Sequence, residues 1–367
     1  MKKILFIIYT YSMGGGAETV LTNLVNHLDP KKYQIDILEY AHYGIKEESL
    51  SPQVHMLKPI VSMKNDKKIK RLWKNIQVFS FSNFLKKGRK SYDLEISFNY
   101  LIPTFLLSGK SPSIAWLHGD IYDLTQRPYM RWKERKALSC VSCIVVISEN
   151  TRASVVSLYP EFAEKIRVIH NGFNIKEIQH KSLQPCNLSI RQPSLAFVGR
   201  LDKNKNPLAL IDVVEELRYR GKNINLYFLG EGILQDEIKK QITRKHLEDR
   251  IFLLGYQQNP YPVMARCRGL CMMSQSEGFP TVFGEGMALG VPFITTPVGG
   301  VSELSNGNQC GIIVHNIKEC ADAVEKILLN DETHDIMSSN CLNHIAKFSL
   351  TDQIGATEQL IDSLLSP

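Results

Sequence analysis

The sequence predicts an α/β protein built from two halves, each a parallel sheet. Short apolar strands alternate with stretches of helical period, the pattern of parallel sheets covered on both faces. That pattern lapses over the polar segment 174–193 and restarts at Ser194–Val198. The length, 367 residues, exceeds one ordinary core and suits two domains of about 150–200 residues.

The first half opens with a strand at Ile4–Tyr9. Its start, Met-Lys-Lys, superficially resembles a signal sequence. The apolar run is short, however, and Gly14–Gly16 follow without a small-residue cleavage site, so it reads as a buried strand. The glycines form a turn into a helix from about Ala17 to Leu28. Further strands are expected at Gln34–Glu39, Leu94–Ser97, Ser113–Leu117, Cys143–Ile147 and Val168–His170. Residues 174–193 hold Pro185 and Pro193 without apolar periodicity and read as a linker. The second half runs through strand Ser194–Val198, helix Pro207–Arg220, strand Ile224–Leu229, helix Leu234–Lys245, strand Ile251–Leu254, an apolar segment at Gly269–Met273 and strand Pro292–Thr295. Helices follow Glu319, and Thr351–Leu365 carries Ile354, Leu360, Ile361 and Leu364 at near-helical spacing. The expected boundaries are 1–173, linker 174–193, 194–350 and a terminal helix 351–367.

Composition narrows the partners. No apolar run approaches about 18 residues, so no spanning helix is expected. The eight cysteines are scattered, which suits a reducing cytoplasm. Cys140 with Cys143, and Cys267 with Cys271, lack a second Cys/His pair, so no metal is expected. Cys143 leads into Ile-Val-Val and reads as core sulfur. Residues 1–175 hold 25 of the 44 Lys/Arg but 15 of the 37 Asp/Glu, so the positive charge is concentrated there. Much of it lies in 64–90, where Ile69, Leu72, Trp73, Ile76 and Phe79 recur at helical spacing. This segment reads as an amphipathic helix with a solvated basic face, or as a surface for anionic lipid headgroups or a lipid diphosphate. No recognition motif accompanies the charge, so nucleic acid is not an expected partner.

Three stretches carry chemistry. Glu277-Gly-Phe-Pro-Thr-Val-Phe-Gly-Glu285 sets two carboxylates eight positions apart, with a Gly/Pro-broken loop between them and a helix start at the second. That order suits backbone N–H groups laid against a phosphate, with Glu285 in the first helical turn. Gly199-Arg200-Leu-Asp-Lys-Asn-Lys205-Asn-Pro207 follows a strand. Arg offers a planar fork to phosphate oxygens and Lys a mobile point charge, at the strand end where open α/β sheets bind ligands. Gly14–Gly16 follow the first strand, but position 19 is Thr, so G-x-G-x-x-G is not met and a dinucleotide dehydrogenase is disfavoured.

Together, Gly199-Arg200-Leu201 with Lys205 and Glu277-x7-Glu285 resemble family 4 glycosyltransferases of the GT-B fold. Gly14-Gly-Gly-Ala-Glu18, Trp116-Leu-His118-Gly119, Val146-Ile-Ser-Glu149 and His170-Asn-Gly172 match that family's other landmarks in order. The resemblance implies two Rossmann-like domains facing across a cleft, with the terminal helix crossing back to the N-terminal, acceptor-binding domain. It further implies a nucleotide-sugar donor and retention of anomeric configuration. Arg200 and Lys205 would neutralise the leaving diphosphate. Glu277 would accept hydrogen bonds from sugar hydroxyls, the backbone of Gly278, Phe279, Pro280 and Thr281 would approach sugar and phosphate, and Glu285 would bind the ribose. His118 would position the donor sugar, and Gly15 and Gly16 would let backbone amides approach the diphosphate or the acceptor. No Asp-x-Asp occurs, which fits metal-independent transfer.

The implied enzyme is cytoplasmic and peripheral to the membrane, moving a hexose or N-acetylhexosamine, from UDP rather than GDP, to a lipid-linked bacterial surface glycan. Two other readings of the same cleft are a GT-B nucleotide-sugar 2-epimerase and a non-catalytic partner subunit.

Overall fold

The computed structural model describes the chain apart from residues 14, 46–48, 64–90, 100, 101, 120, 122–127 and 367. Gly14 and the basic segment 64–90 therefore lie outside the described residues. The chain forms two compact units, Met1–Gly172 with Leu350–Pro367, and Phe173–Ser349.

The first unit holds β1 (Lys2–Ile8), β2 (Tyr33–Glu39), β3 (Ala41–His42), β4 (Val54–Met56), β5 (Val61–Ser62), β6 (Leu94–Phe98), β7 (Ser113–Leu117), β8 (Cys143–Val146) and β9 (Ile166–Val168). Its main sheet runs β4-β2-β1-β6-β7-β8-β9, and β3 pairs with β5 beside it. Among the described residues these strands pair in parallel. Ile4 through Ile8 are wholly buried, so β1 reads as an unbroken apolar run rather than an alternation. Helix α1 (Gly16–His27) buries Val20, Leu21, Leu24 and Val25 along one stripe. Cys143 is a core residue, its thiol 3.3 Å from the Lys165 carbonyl.

The second unit holds β10 (Ser194–Val198), β11 (Asn225–Leu229), β12 (Ile251–Gly255), β13 (Gly269–Met272), β14 (Phe293–Thr295) and β15 (Gly311–Ile313), in the order β12-β11-β10-β13-β14-β15. The segment expected to be a linker contains helix α2 (Ile175–Ser182), capped by the Asn174 side chain. It buries only Ile178, so it left no apolar period to read. Helices α3 (Pro207–Tyr219) and α4 (Gln235–Arg244) follow β10 and β11, and α5 (Thr281–Ala288) follows the two-Glu loop. Glu285 therefore lies one turn inside α5. The first turn carries no acidic residue, because the helix begins directly after Pro280.

The terminal helix α6 (Leu350–Leu365) belongs to the first unit and packs on α1. It buries Leu350, Gln353, Thr357 and Ile361. Polar ties complete the seam. Tyr33 Oη donates to Asp362 at 2.7 Å, the Asp29 N–H to Glu358 at 2.9 Å, and the Gly172 N–H to Gln353 at 3.0 Å.

In each unit the chain lays down its first strand, moves outward to one side, then returns to the other side of that strand. The reversal falls between β1 and β6 in the first unit and between β10 and β13 in the second. Loops at the carboxyl ends of strands flanking such a reversal are where open α/β sheets take ligands.

Candidate active site

In the second unit, the two sequence motifs leave the strands flanking the reversal. The 199–206 loop follows β10 and the 274–280 loop follows β13. They are stitched together: the Gln275 N–H donates to the Asn204 carbonyl at 2.7 Å, and Asn204 Nδ2 to the Ser276 carbonyl at 2.9 Å. Beside this seam Lys205 Nζ meets Glu277 Oε1 at 2.5 Å, with side chains only 20% and 12% exposed. Arg200 is not drawn into the pair. It stands 65% exposed, with Nε 3.3 Å from Asp202 Oδ2. The Asp202 carboxylate also accepts the Lys205 N–H at 3.0 Å, which holds the loop in its bend.

Neighbouring loops fix this pair of loops by close backbone approach. Gly230, after β11, has φ +147°, and a Cβ there would fall 1.9 Å from the Gly199 carbonyl oxygen. Gly299, after β14, has φ +48°, and a Cβ there would fall 2.2 Å from the Gly278 carbonyl oxygen. The Gly300 N–H donates to that same carbonyl at 2.9 Å. The Phe279 side chain is buried against Phe173 and Phe348. It pins the loop from below, which takes the Phe279 side chain out of reach of a ligand and leaves its backbone. No side chain caps α5 at Pro280, which leaves its positive end to whatever anion sits there.

Glu285 makes no hydrogen bond among the described residues. It keeps some solvent contact, yet burial pushes its carboxyl up to about 7, only partly offset by the charge of Lys181. A largely buried carboxylate without a donor is poised to accept one from a ligand.

The first unit contributes a separate constellation. Gly15 and Gly16 open α1, with no side-chain cap, and Glu18 folds back over Gly15. His118 follows β7 and packs on Phe98, ring centroids 4.1 Å apart, and on Trp116 at 6.2 Å. Burial lowers its imidazolium to about 3, and Nε2 is buried without a partner among the described residues. The ring is therefore neutral and has one unused polar atom.

Sequence reasoning missed Glu39, at the end of β2. It is 1% exposed. Its Oε1 accepts the Tyr11 N–H at 2.7 Å, the Ser12 N–H at 2.8 Å, Ser12 Oγ at 2.7 Å and Thr10 Oγ1 at 3.3 Å, and its Oε2 meets His42 Nδ1 at 2.8 Å. The sequence offered little signal, because the strand Tyr33–Glu39 also carries Gln34 and a second acidic residue, Asp36.

Comparison with known proteins decides the family. Residues 14–177 match the model of Glycosyltransferase Family 4, and residues 183–343 that of Glycosyl transferases group 1. The chain belongs to glycosyltransferase family 4. Among relatives of this glycosyltransferase is the N-acetylgalactosamine-N,N'-diacetylbacillosaminyl-diphospho-undecaprenol 4-alpha-N-acetylgalactosaminyltransferase of Campylobacter jejuni. It is 26% identical over 84% of this chain and 85% of its own. Another is the UDP-Gal:alpha-D-GlcNAc-diphosphoundecaprenol alpha-1,3-galactosyltransferase of Escherichia coli, 24% identical over 69% of this chain and 70% of its own. HepE of Anabaena, solved in complex with UDP, superposes with a TM-score of 0.73 at 18% identity over 98% of this chain and 100% of that one. Sucrose-phosphate synthase from Thermosynechococcus elongatus gives 0.79 at 18% identity over 99% of each chain. These likenesses make the fold of this glycosyltransferase GT-B, as the motifs implied.

Proposed function

We propose that this family 4 enzyme transfers a hexose or N-acetylhexosamine, with retention, from a UDP-sugar to a lipid-linked bacterial glycan. The observation that carries this reading is the Lys205–Glu277 pair at the strand reversal of the second unit, with exposed Arg200 and unpartnered Glu285 on the same loops and helix. Two cations there suit a diphosphate, one carboxylate suits sugar hydroxyls and the other a ribose diol. The relatives named for undecaprenol-linked acceptors, and the UDP bound by HepE, support the choice of acceptor and nucleotide.

In the reaction, the bond between the anomeric carbon and the β-phosphate oxygen breaks. The acceptor oxygen bonds to the same face of that carbon, and the departing phosphate oxygen takes the acceptor's proton. Arg200 and Lys205 stabilise the charge that grows on the diphosphate, assisted by the open N-terminus of α5. Glu277 orients the sugar through its hydroxyls while its charge holds Lys205 in place. Glu285 clamps the ribose. His118, neutral, offers a hydrogen bond without adding charge, and Gly15 and Gly16 keep side chains away from the acceptor. Among the described residues no helix is long and apolar enough to cross a membrane. The undecaprenol-linked acceptors named for the relatives support peripheral access, at the inner face of the cytoplasmic membrane.

The test is incubation with UDP-Gal, UDP-GalNAc, UDP-Glc or UDP-GlcNAc, with and without an undecaprenyl-diphosphate-linked N-acetylhexosamine, read by mass spectrometry. The expected result is one hexose or N-acetylhexosamine added to the lipid and release of UDP. A new nucleotide sugar formed without acceptor would establish the epimerase reading instead.

A further inference from the structure

The loop after β2 is fastened along the loop after β1. The Tyr40 N–H donates to the Ile8 carbonyl at 2.9 Å, Ala41 N–H to Tyr9 at 2.8 Å, and Ile45 N–H to Ser12 at 2.9 Å. Tyr43 N–H donates to Ser12 Oγ at 2.7 Å. Between these rails sits His42, its side chain 26% exposed, facing the 1% exposed carboxylate of Glu39.

That geometry sets the tautomer. Glu39 Oε1 already takes two backbone N–H groups and two hydroxyls, so the carboxyl group faces its surroundings as an acceptor. Facing Oε2, Nδ1 of His42 must carry the proton. Nε2 of a neutral His42 is then an acceptor, and no hydrogen bond within the described residues occupies it. A buried carboxylate that fixes one ring nitrogen of a partly exposed histidine sets the tautomer and aim of the other. Glu39 closes β2, the strand next to β1, at the carboxyl end of the sheet, His42 follows in β3, and Glu39 is bonded directly to the segment that leads into Gly15 and Gly16.

We propose that His42 is an acceptor-binding residue, its Nε2 accepting a hydrogen bond from a hydroxyl of the acceptor glycan, and that Glu39 is the positioning residue that holds it in that tautomer. This rests on the transferase reading above and adds a contact to the unit that reading assigns to the acceptor.

The test uses the full chain, its preferred UDP-sugar and undecaprenyl-diphosphate-linked GlcNAc as the acceptor probe. His42→Ala should raise the acceptor KM about tenfold, the loss of one hydrogen bond, with kcat and UDP affinity unchanged and a fall in melting temperature because the buried Glu39 Oε2 loses its donor. Glu39→Gln should raise the same KM, because its amide N–H₂ can only face Nδ1 if the ring proton moves to Nε2. The double variant should be no worse than the more affected single one, since both remove one interaction. Were Glu39 only a brace for the loop, its effect would fall on kcat and melting temperature and would multiply with that of His42→Ala. An acceptor KM within twofold of wild type in His42→Ala overturns the assignment, whether or not Glu39→Gln folds. A wild-type chain that glycosylates no lipid-linked N-acetylhexosamine overturns the transferase reading itself, and this assignment with it.

Discussion

At the scale of single residues, the two carboxylates of the Glu277–Glu285 loop and helix do different work. Glu277 is half of an ion pair with Lys205, and removing either partner strands a charge that is at most 20% exposed. Lys205→Ala and Glu277→Ala should each lower kcat/KM by about 10²–10³-fold, the usual cost of losing one charge-stabilising group, and each should lower the melting temperature. The double change Lys205→Met with Glu277→Met should recover the melting temperature but not the activity. Full activity in either single variant would remove the pair from the site. Glu285 gives a pH signature. Its carboxyl is raised to about 7 by burial, so it is protonated below that value and loses an acceptor for the ribose diol. Affinity for a UDP-sugar, whose diphosphate does not titrate near neutrality, should rise severalfold between about pH 6 and pH 8. In Glu285→Gln that rise should vanish, as isothermal titration can check. His118 contributes nothing to this limb, because its ring is neutral above about 3.

At the scale of elements, loops brace one another through backbone, which explains both the site's precision and what the sequence hid. The buried strands were legible because Ile4–Ile8 and Ser194–Val198 are apolar runs of strand length. The Arg200, Lys205, Glu277 and Glu285 motifs were legible because spacing and residue type alone define them. Glu39 was not, because four of its five donors lie 27 to 29 positions away and two of those are backbone N–H groups, which any residue carries. Helix α2 was hidden by burying a single apolar side chain, and Glu285 was set a turn too early because Pro280 begins the helix. Gly299 tests the bracing. Its φ of +48° and the 2.2 Å approach of a Cβ to the Gly278 carbonyl leave no room for a side chain without moving the loop. Gly299→Ala should therefore weaken UDP-sugar binding more than tenfold and lower the melting temperature, although residue 299 itself need touch no ligand. Unchanged binding would show that the 277–278 loop is not held from this side.

At the scale of the whole molecule, the proposed roles fall on two units that are separately built. Arg200, Lys205, the 278–281 backbone and Glu285 all belong to Phe173–Ser349, while His118, Gly15, Gly16 and Glu39 belong to the unit completed by α6. Affinity for the nucleotide part of the donor and the rate of transfer should then be separable by mutation. UDP carries every group that the proposed contacts of Arg200, Lys205 and Glu285 require, and none that His118 is proposed to meet. His118→Gln, which keeps a polar side chain of similar size between Phe98 and Trp116, should leave the UDP dissociation constant within twofold of wild type. It should lower kcat with the full UDP-sugar and acceptor by at least tenfold. Lys205→Ala should do the reverse in order of severity, losing UDP affinity first. Because binding of UDP to the native state alone raises stability by RT ln(1 + [L]/Kd), about 2.7 kcal/mol at a hundredfold excess over Kd, thermal shift reports the first quantity and a coupled UDP-release assay the second. Loss of UDP binding in His118→Gln, with the protein still folded, would mean that the nucleotide is not held by the second unit alone.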